Sequence, residues 1–392
     1  MRATRGHGAG AGNVAAPAPR AQDVVGAPVL PPAAATRAVT GMRGWLARMR
    51  RGLAPPPVQI LESALAGLEP TVLRVLCHLD VPDRLASGPI ALDTLADELD
   101  VDRERLRRVA RYAHVHGWLR LDRRRSLRAT RVTRFLQRDH PGGWRAWVDL
   151  ATAQETNAAT AALPEALSAD GDAFAAGNGQ AFFPWMLAHP EAHATFDAAM
   201  AAGARMHGLL LARSLEWSSS QRVCDIGGGD GTLLGVLVAV HPHLHGAVLE
   251  LPEVAARMPP REKVTAVAGD AFQAVPKGHD TYLLVNVLHD WDDRAATVLL
   301  QRAAEAAAGD PGDGGPARVV VVDTEARSGP SDDISLRADL LMLALTPGGR
   351  ERCADEFVAL ARAAGLRHQR THRLGSGDLA LVLEPDPSSR RR

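Results

Sequence analysis

Lysine is nearly absent from this 392-residue chain, occurring only at Lys263 and Lys277, and cysteine is almost as scarce. The three cysteines, Cys77, Cys224 and Cys353, are widely separated. That spacing excludes a disulfide scaffold and a cysteine-rich zinc site, and it suits a reducing cytoplasm. No run of about 18 apolar residues occurs, which excludes a membrane-spanning helix. Aromatic residues make up only 4%, yet Phe174, Phe182, Phe183, Trp185 and Phe196 fall close together. Such a cluster reads either as core or as the wall of a pocket for a flat ligand.

What the chain has in plenty is arginine, alanine and internal charge separation. The formal net charge is zero, but residues 1–51 hold eight arginines against one acid, Asp23, and the chain ends on Arg390–Arg392. Residues 103–138 hold thirteen arginines against Glu104 and Asp122. Net charge therefore says nothing about partners, whereas its distribution marks two basic segments. Residues 1–56, rich in Ala, Gly, Pro and Arg and closed by Pro55–Pro57, show no sustained apolar period. They are expected to be a disordered tail, or to lie upstream of a true start such as Met42. Residues 386–392 read as a second, basic tail.

Residues 57–140 read as short helices followed by a hairpin. Apolar residues from Ile60 to Leu79 recur at helical spacing. Asp93 and Asp102 are expected to cap helices starting at Thr94 and Arg103, and Gly117 to stop the second. With the strands near Trp118 and Leu127, this pattern is that of a winged helix. Residues 141–216 read as a helical region broken near Asp170–Gly179. From 217 to 385, apolar strands at 222–226, 246–249, 264–268, 281–287 and 318–322 alternate with helices. That alternation predicts an α/β, Rossmann-like parallel sheet wound by helices on both faces.

Asp225-Ile-Gly-Gly-Gly-Asp-Gly-Thr232 follows the first of these strands and opens a helix. Gly227, Gly229 and Gly231 permit a tight turn and close ligand approach, with free N–H groups at the helix start. Gly228 reads as turn filler and Asp230 as a solvated cap. Glu250 ends the second strand, where a carboxylate can accept from both hydroxyls of a ribose. A dinucleotide fingerprint would place a small residue at Thr232. The G-x-G-x-G spacing instead fits a nucleoside without pyrophosphate, such as S-adenosylmethionine. Asp270, after the third strand, can accept from an adenine amine, and Phe272 is placed to pack on its ring. His289 lies just past the fourth strand, on the same sheet edge as the glycine loop. Asp323 and Glu351 are expected on that edge too, able to fix the imidazole tautomer and leave the other nitrogen as a base. Asp290, Asp292 and Asp293 read as helix-start acids.

Taken in order, Asp225–Gly231, Leu249–Glu253, Gly269–Phe272, Leu288–Trp291 and Pro347–Arg352 resemble the S-adenosylmethionine-dependent small-molecule O-methyltransferases. These include the plant caffeate and acetylserotonin enzymes and bacterial polyketide O-methyltransferases; the resemblance covers about residues 58–385. It implies a class I methyltransferase domain at 217–385, a dimerisation role for the winged-helix domain at 57–140, and a substrate-lid role for 141–216. It implies His289 as general base, flanked and oriented by Asp323 and Glu351. Asp225, Gly227, Gly229, Glu250, Asp270, Ala271 and Phe272 would hold the cofactor, while Phe196, Met200 and Met342 would line the acceptor cleft. S-adenosyl-L-methionine would be the cofactor and S-adenosyl-L-homocysteine its product, without a metal. The sequence departs from the family at Asp323, where many relatives carry glutamate. It departs also at Val285, a lysine in plant members, and at Cys353, commonly threonine.

The expected protein is a cytoplasmic homodimer that methylates a hydroxyl of an aromatic or polyketide-type secondary metabolite, with neither membrane nor DNA as partner. Two alternatives stand beside it. One is a methyltransferase-like protein with hydroxylation or decarboxylation chemistry. The other is a winged-helix DNA-binding ligand sensor, suggested by the arginines of 103–138.

Overall fold

The computed structural model describes residues 33–168, 171–309, 317–327 and 333–388. The first of these do not follow the expected tail. Ala33–Leu53 is a helix, and a second helix, Pro56–Leu65, follows. Pro56 and Pro57 sit in its first turn, where a missing N–H is not needed by the helix. The proline cluster thus starts a helix instead of closing a coil. Residues 1–32 and 389–392, the rest of the two expected tails, lie outside the described residues.

A three-stranded antiparallel sheet follows, ordered β1 (Ile90–Ala91), β3 (Ser126–Ala129), β2 (Leu119–Leu121). It packs with the helices Leu92–Glu98 and Arg103–Val115 around Leu76, Leu92, Leu95, Leu106, Leu119 and Leu127. Asp102 caps the second helix, accepting from the Arg105 N–H at 2.8 Å, and Gly117 takes φ +74° beyond its end. Asp93 does not cap the first. That helix begins at Leu92, behind Ala91, and puts Asp93 inside its first turn, where a carboxylate still favours the helix dipole. Arg103, Arg107 and Arg138 of the basic segment are ion-paired with Asp97, Glu104 and Asp80.

Five helices, Arg145–Ala151, Gln154–Ala161, Ala173–Asn178, Phe182–Ala188 and the long Pro190–Ser214, lead to the main sheet. Its strands are β4 (Arg222–Ile226), β5 (His245–Glu250), β6 (Val264–Ala268), β7 (Thr281–Val285), β8 (Arg318–Asp323), β9 (Leu366–Arg373) and β10 (Leu379–Pro385), in the order β6-β5-β4-β7-β8-β10-β9. The five predicted strands are parallel. The two not anticipated add an antiparallel hairpin to the edge, so the sheet is mixed. Apolar side chains pack on both faces, around Leu284, Leu299 and Phe357 on one side and Leu237, Val248 and Trp217 on the other. The chain reverses direction across the sheet between β4 and β7. Loops leaving those neighbouring strands therefore border the crevice where open α/β sheets bind ligands.

Candidate active site

The glycine loop leaves β4 with Gly227, Gly229 and Gly231 at φ +70°, +59° and +74°, values that L side chains rarely adopt. Gly228 is not filler. A Cβ there would stand 2.5 Å from Oδ2 of Asp225, so the loop closes directly over that carboxylate. Asp225 is 1% exposed and its Oδ2 has no hydrogen-bond partner. Burial, reinforced by the charge of Glu250, pushes the Asp225 carboxyl up to about 8. Glu250 in turn ties the loop to β5: Oε1 accepts from Gly229 N–H and Oε2 from Leu251 N–H, both at 3.0 Å. Burial raises its carboxyl as well, against the pull of those two N–H groups. Asp230 is held more firmly than a solvated cap would be. It accepts from the Thr232 backbone and hydroxyl at 2.9 and 2.8 Å and pairs with Arg261 at 2.9 Å.

At the end of β6, Asp270 Oδ1 accepts from Phe272 N–H at 2.9 Å, fixing the turn that carries Ala271 and Phe272. Phe272 meets Trp291 edge-on at 4.8 Å, and Trp291 stacks on Phe183 at 5.6 Å. Phe183, Phe182 and Phe196 continue the chain of rings at 5.2 and 5.3 Å. Phe174 and Phe182 are buried core, whereas Phe183 and Phe196 are only partly covered. The aromatic cluster is therefore core at Phe174 and Phe182, with Phe183 and Phe196 partly open beside it. Met200 lies one helical turn beyond Phe196, and Met342 lies on the helix Asp333–Leu345, which packs on the same helical layer.

His289 stands in a short 3-10 turn beyond β7 with 15% of its side chain exposed. Its Nδ1 is 3.2 Å from Glu351 Oε1 and 3.7 Å from Asp323 Oδ1. Its Nε2 is 3.6 Å from Asp290 Oδ1, so Asp290 belongs to this cluster and is not a helix-start acid. Asp292 is the cap of the following helix, and Asp293 pairs with Arg350 and Arg352. Burial opposes charge on the imidazole, but Asp290, Glu351 and Asp323 outweigh it and raise His289 to about 10. Burial pushes Asp290 up to about 6, with His289 opposing, and drives the Asp323 carboxyl well above its usual range. Neither oxygen of Asp323 has a hydrogen-bond partner.

Two residues that the sequence did not single out hold this cluster. Arg352, fully buried, donates to the carbonyls of Leu288 and Trp291 at 2.8 and 2.7 Å and to Asp293 at 2.9 Å. Asp339 accepts from the backbone N–H of Glu351 at 2.9 Å. Arg352 lay within the Pro347–Arg352 motif, and no sequence signal marked Asp339.

A cofactor with a ribose and an adenine fits what is present. Loop N–H groups, an acid ending β5 and an acid and a ring following β6 line one sheet edge, and His289 and Asp323 follow on the same edge at the ends of β7 and β8. Among the described residues, no group of three or more His, Cys, Asp and Glu is arranged to hold a metal ion, and no helix is long and apolar enough to cross a membrane.

Comparison with known proteins agrees. The O-methyltransferase domain family matches residues 161–367. Aclacinomycin 10-hydroxylase RdmB of Streptomyces purpurascens is 33% identical over 309 residues, 76% of this chain and 81% of its own. The mitomycin biosynthesis 6-O-methyltransferase of Streptomyces lavendulae is 31% identical over 337 residues, 79% of this chain and 89% of its own. Among solved structures, CalO1, a methyltransferase of calicheamicin biosynthesis in its S-adenosylhomocysteine-bound form, superposes with a TM-score of 0.74. It is 28% identical and covers 84% of this chain and 98% of its own. The chain belongs to the S-adenosylmethionine-dependent O-methyltransferase family.

Proposed function

We propose that this enzyme methylates a hydroxyl of a small aromatic or polyketide-type secondary metabolite, with His289 as the general base. The observation that carries the reading is the placement of His289 beside the glycine-loop strand, with Nδ1 against Glu351 and Asp323. When bound, S-adenosylmethionine supplies an electrophilic sulfonium methyl. Gly227, Gly229, Glu250, Asp270, Ala271 and Phe272 are the residues proposed to hold it, with Asp225 supporting the loop from beneath.

Glu351 and Asp323 orient the ring and stabilise the imidazolium that forms when Nε2 takes the acceptor's proton. The acids that raise His289 favour its charged form, so once its ring is neutral it can draw the proton from a phenol of pKa near 10. Phe196, Met200 and Met342 are proposed to hold the acceptor's flat body, so that positioning supplies most of the rate. The direct test is turnover of hydroxylated naphthoates and flavonoids with S-adenosylmethionine, read by product mass. Gain of one CH2 unit, lost in His289→Ala, supports the proposal; gain of oxygen overturns it.

A homodimer through the N-terminal region is part of the same proposal. Ile60, Leu61, Leu65 and Leu68 are exposed. An apolar groove of about 450 Å³ in the same N-terminal region is lined by Pro70, Leu73, Val132, Phe135, Trp144 and Trp147. Apolar surface of this kind is costly to leave in water, and a second copy would cover it. Light scattering on wild type and Leu61→Asp tests this. The buried thiols Cys77 and Cys224 are compatible with a reducing cytoplasm.

A further inference from the structure

A second histidine lies buried behind the catalytic one. His207, 5% exposed on the long helix Pro190–Ser214, places Nε2 at 2.9 Å from Asp378 Oδ2. Asp378 sits in the turn between β9 and β10, and its Oδ1 accepts from the Thr324 hydroxyl at 3.0 Å. On the other side of the ring, the Asn286 amide nitrogen is 3.4 Å from Nδ1. With the proton on Nε2, both ring nitrogens are satisfied: Nε2–H donates to Asp378 and Nδ1 accepts from Asn286. Burial opposes ionisation of Asp378, but the bonds from His207, Ser376 and Thr324 prevail and hold its carboxyl below the ordinary range.

The sequence positions of these partners give the network its meaning. Asn286 is three residues before His289 and adopts φ +54°, with its N–H donating to Val322 O at 2.8 Å. Thr324 directly follows Asp323. Along the long helix, Phe196, Met200, Gly203 and His207 recur at i, i+4, i+7 and i+11, which is one face. The stripe that begins with the proposed acceptor wall thus ends on a histidine that bonds the His289 segment directly, at Asn286, and the Asp323 segment through Asp378 and Thr324.

We propose that His207 is a positioning residue for methyl transfer, fixing the register between the helix carrying Phe196 and Met200 and the loops carrying His289 and Asp323. The proposal rests on the His289 reading above. A buried, bidentate imidazole suits the task because a shift along the helix would break two hydrogen bonds and leave Asp378 charged without its partner.

Two substitutions separate positioning from mere stability. His207→Gln keeps an N–H near the place of Nε2 and removes the acceptor for Asn286. Asn286→Gly keeps the left-handed backbone and removes the amide. Full-length protein with ¹⁵N-labelled histidine is expected to show His207 in the Nε2–H form, and the His289 ring signals are expected to shift in both variants. S-adenosylhomocysteine affinity and Tm should stay close to wild type. With a hydroxylated naphthoate, acceptor KM should rise about fivefold or kcat fall about tenfold, the scale of a small misplacement of reacting groups.

Unmoved His289 signals together with wild-type kinetics would overturn the inference. So would a parallel fall of Tm, cofactor-product affinity and turnover, which marks a purely structural role. If wild type methylates no such acceptor, the acceptor class proposed above fails, and the ring signals still decide the role of His207.

Discussion

Oδ1 of Asp290 lies 3.6 Å from Nε2 of His289, on the side of the ring opposite Glu351. The nitrogen proposed to accept the substrate's proton therefore already faces an acid. In the free enzyme this favours the imidazolium: His289, raised to about 10, is protonated at neutral pH. On the proposed mechanism, the acceptor displaces the attraction of Asp290 before Nε2 works as a base.

The pH dependence follows from that arrangement. Wild-type kcat/KM, which reports the free enzyme, is expected to rise with pH between about 7 and 10 as His289 loses its proton. Asp290→Asn removes one attracting charge and should move the rising limb down by about one pH unit. A profile measured from pH 6 to 10.5 checks this, and an unmoved limb would refute it.

Stability should run in the opposite direction. A raised carboxyl stabilises the fold fully below its ordinary pKa, about 4, and loses that contribution as pH rises through its folded value. For Asp225 the window closes near 8. His289 acts with the same sign, its contribution full below about 6.5 and lost on the way to about 10. The ligand-free enzyme is thus expected to lose Tm from pH 6 to 9. Asp225→Asn should recover about 2–4 °C at pH 9 and little at pH 5, read by differential scanning fluorimetry.

Glu250→Ala is expected to cut affinity for both S-adenosylmethionine and S-adenosylhomocysteine by about tenfold or more. It removes a charged acceptor and also frees the Gly229 N–H that shapes the loop. Isothermal titration calorimetry measures this directly. Equal affinity in wild type and mutant would remove Glu250 from the cofactor site.

Arg352→Met should destabilise by about 3–5 kcal/mol, because the buried Leu288 carbonyl and the partly buried Trp291 carbonyl lose their donor and Asp293 loses a partner. Gly349→Ala tests the same loop from the other side. Its Cβ would fall 2.0 Å from Thr346 Oγ1 and 2.7 Å from the His289 carbonyl oxygen, so this part of the loop must shift. Urea unfolding separates the two outcomes: a large loss for Arg352→Met, and for Gly349→Ala a fall in kcat exceeding the loss of stability.

Local pattern made much of this legible. The glycine loop, the acids Glu250 and Asp270 and the strand before His289 each sit within a few residues of the element that places them. The helix Ala33–Leu53 was hidden because its Ala, Gly and Arg content reads as a tail, although Val39, Met42, Leu46 and Met49 recur at helical spacing. The hairpin β9–β10 was missed because Leu-Arg-His-Gln-Arg-Thr-His-Arg373 shows no apolar alternation; its pairing with β10 forms it. His207 and Asp378 are 171 residues apart, and nothing local marks them as partners. Asp290 looked like a helix-start acid because its neighbours Asp292 and Asp293 are.

Arg352 grips main-chain carbonyls on both sides of His289 without using the histidine's own side chain. Those two bonds depend only on the loop's own main chain, since carbonyl oxygens carry no side-chain identity. Substitutions at Phe196, Met200 or Met342, the acceptor wall proposed above, therefore leave these two bonds to the His289 loop untouched. An enzyme divided in this way can change the molecule it modifies faster than it changes its chemistry.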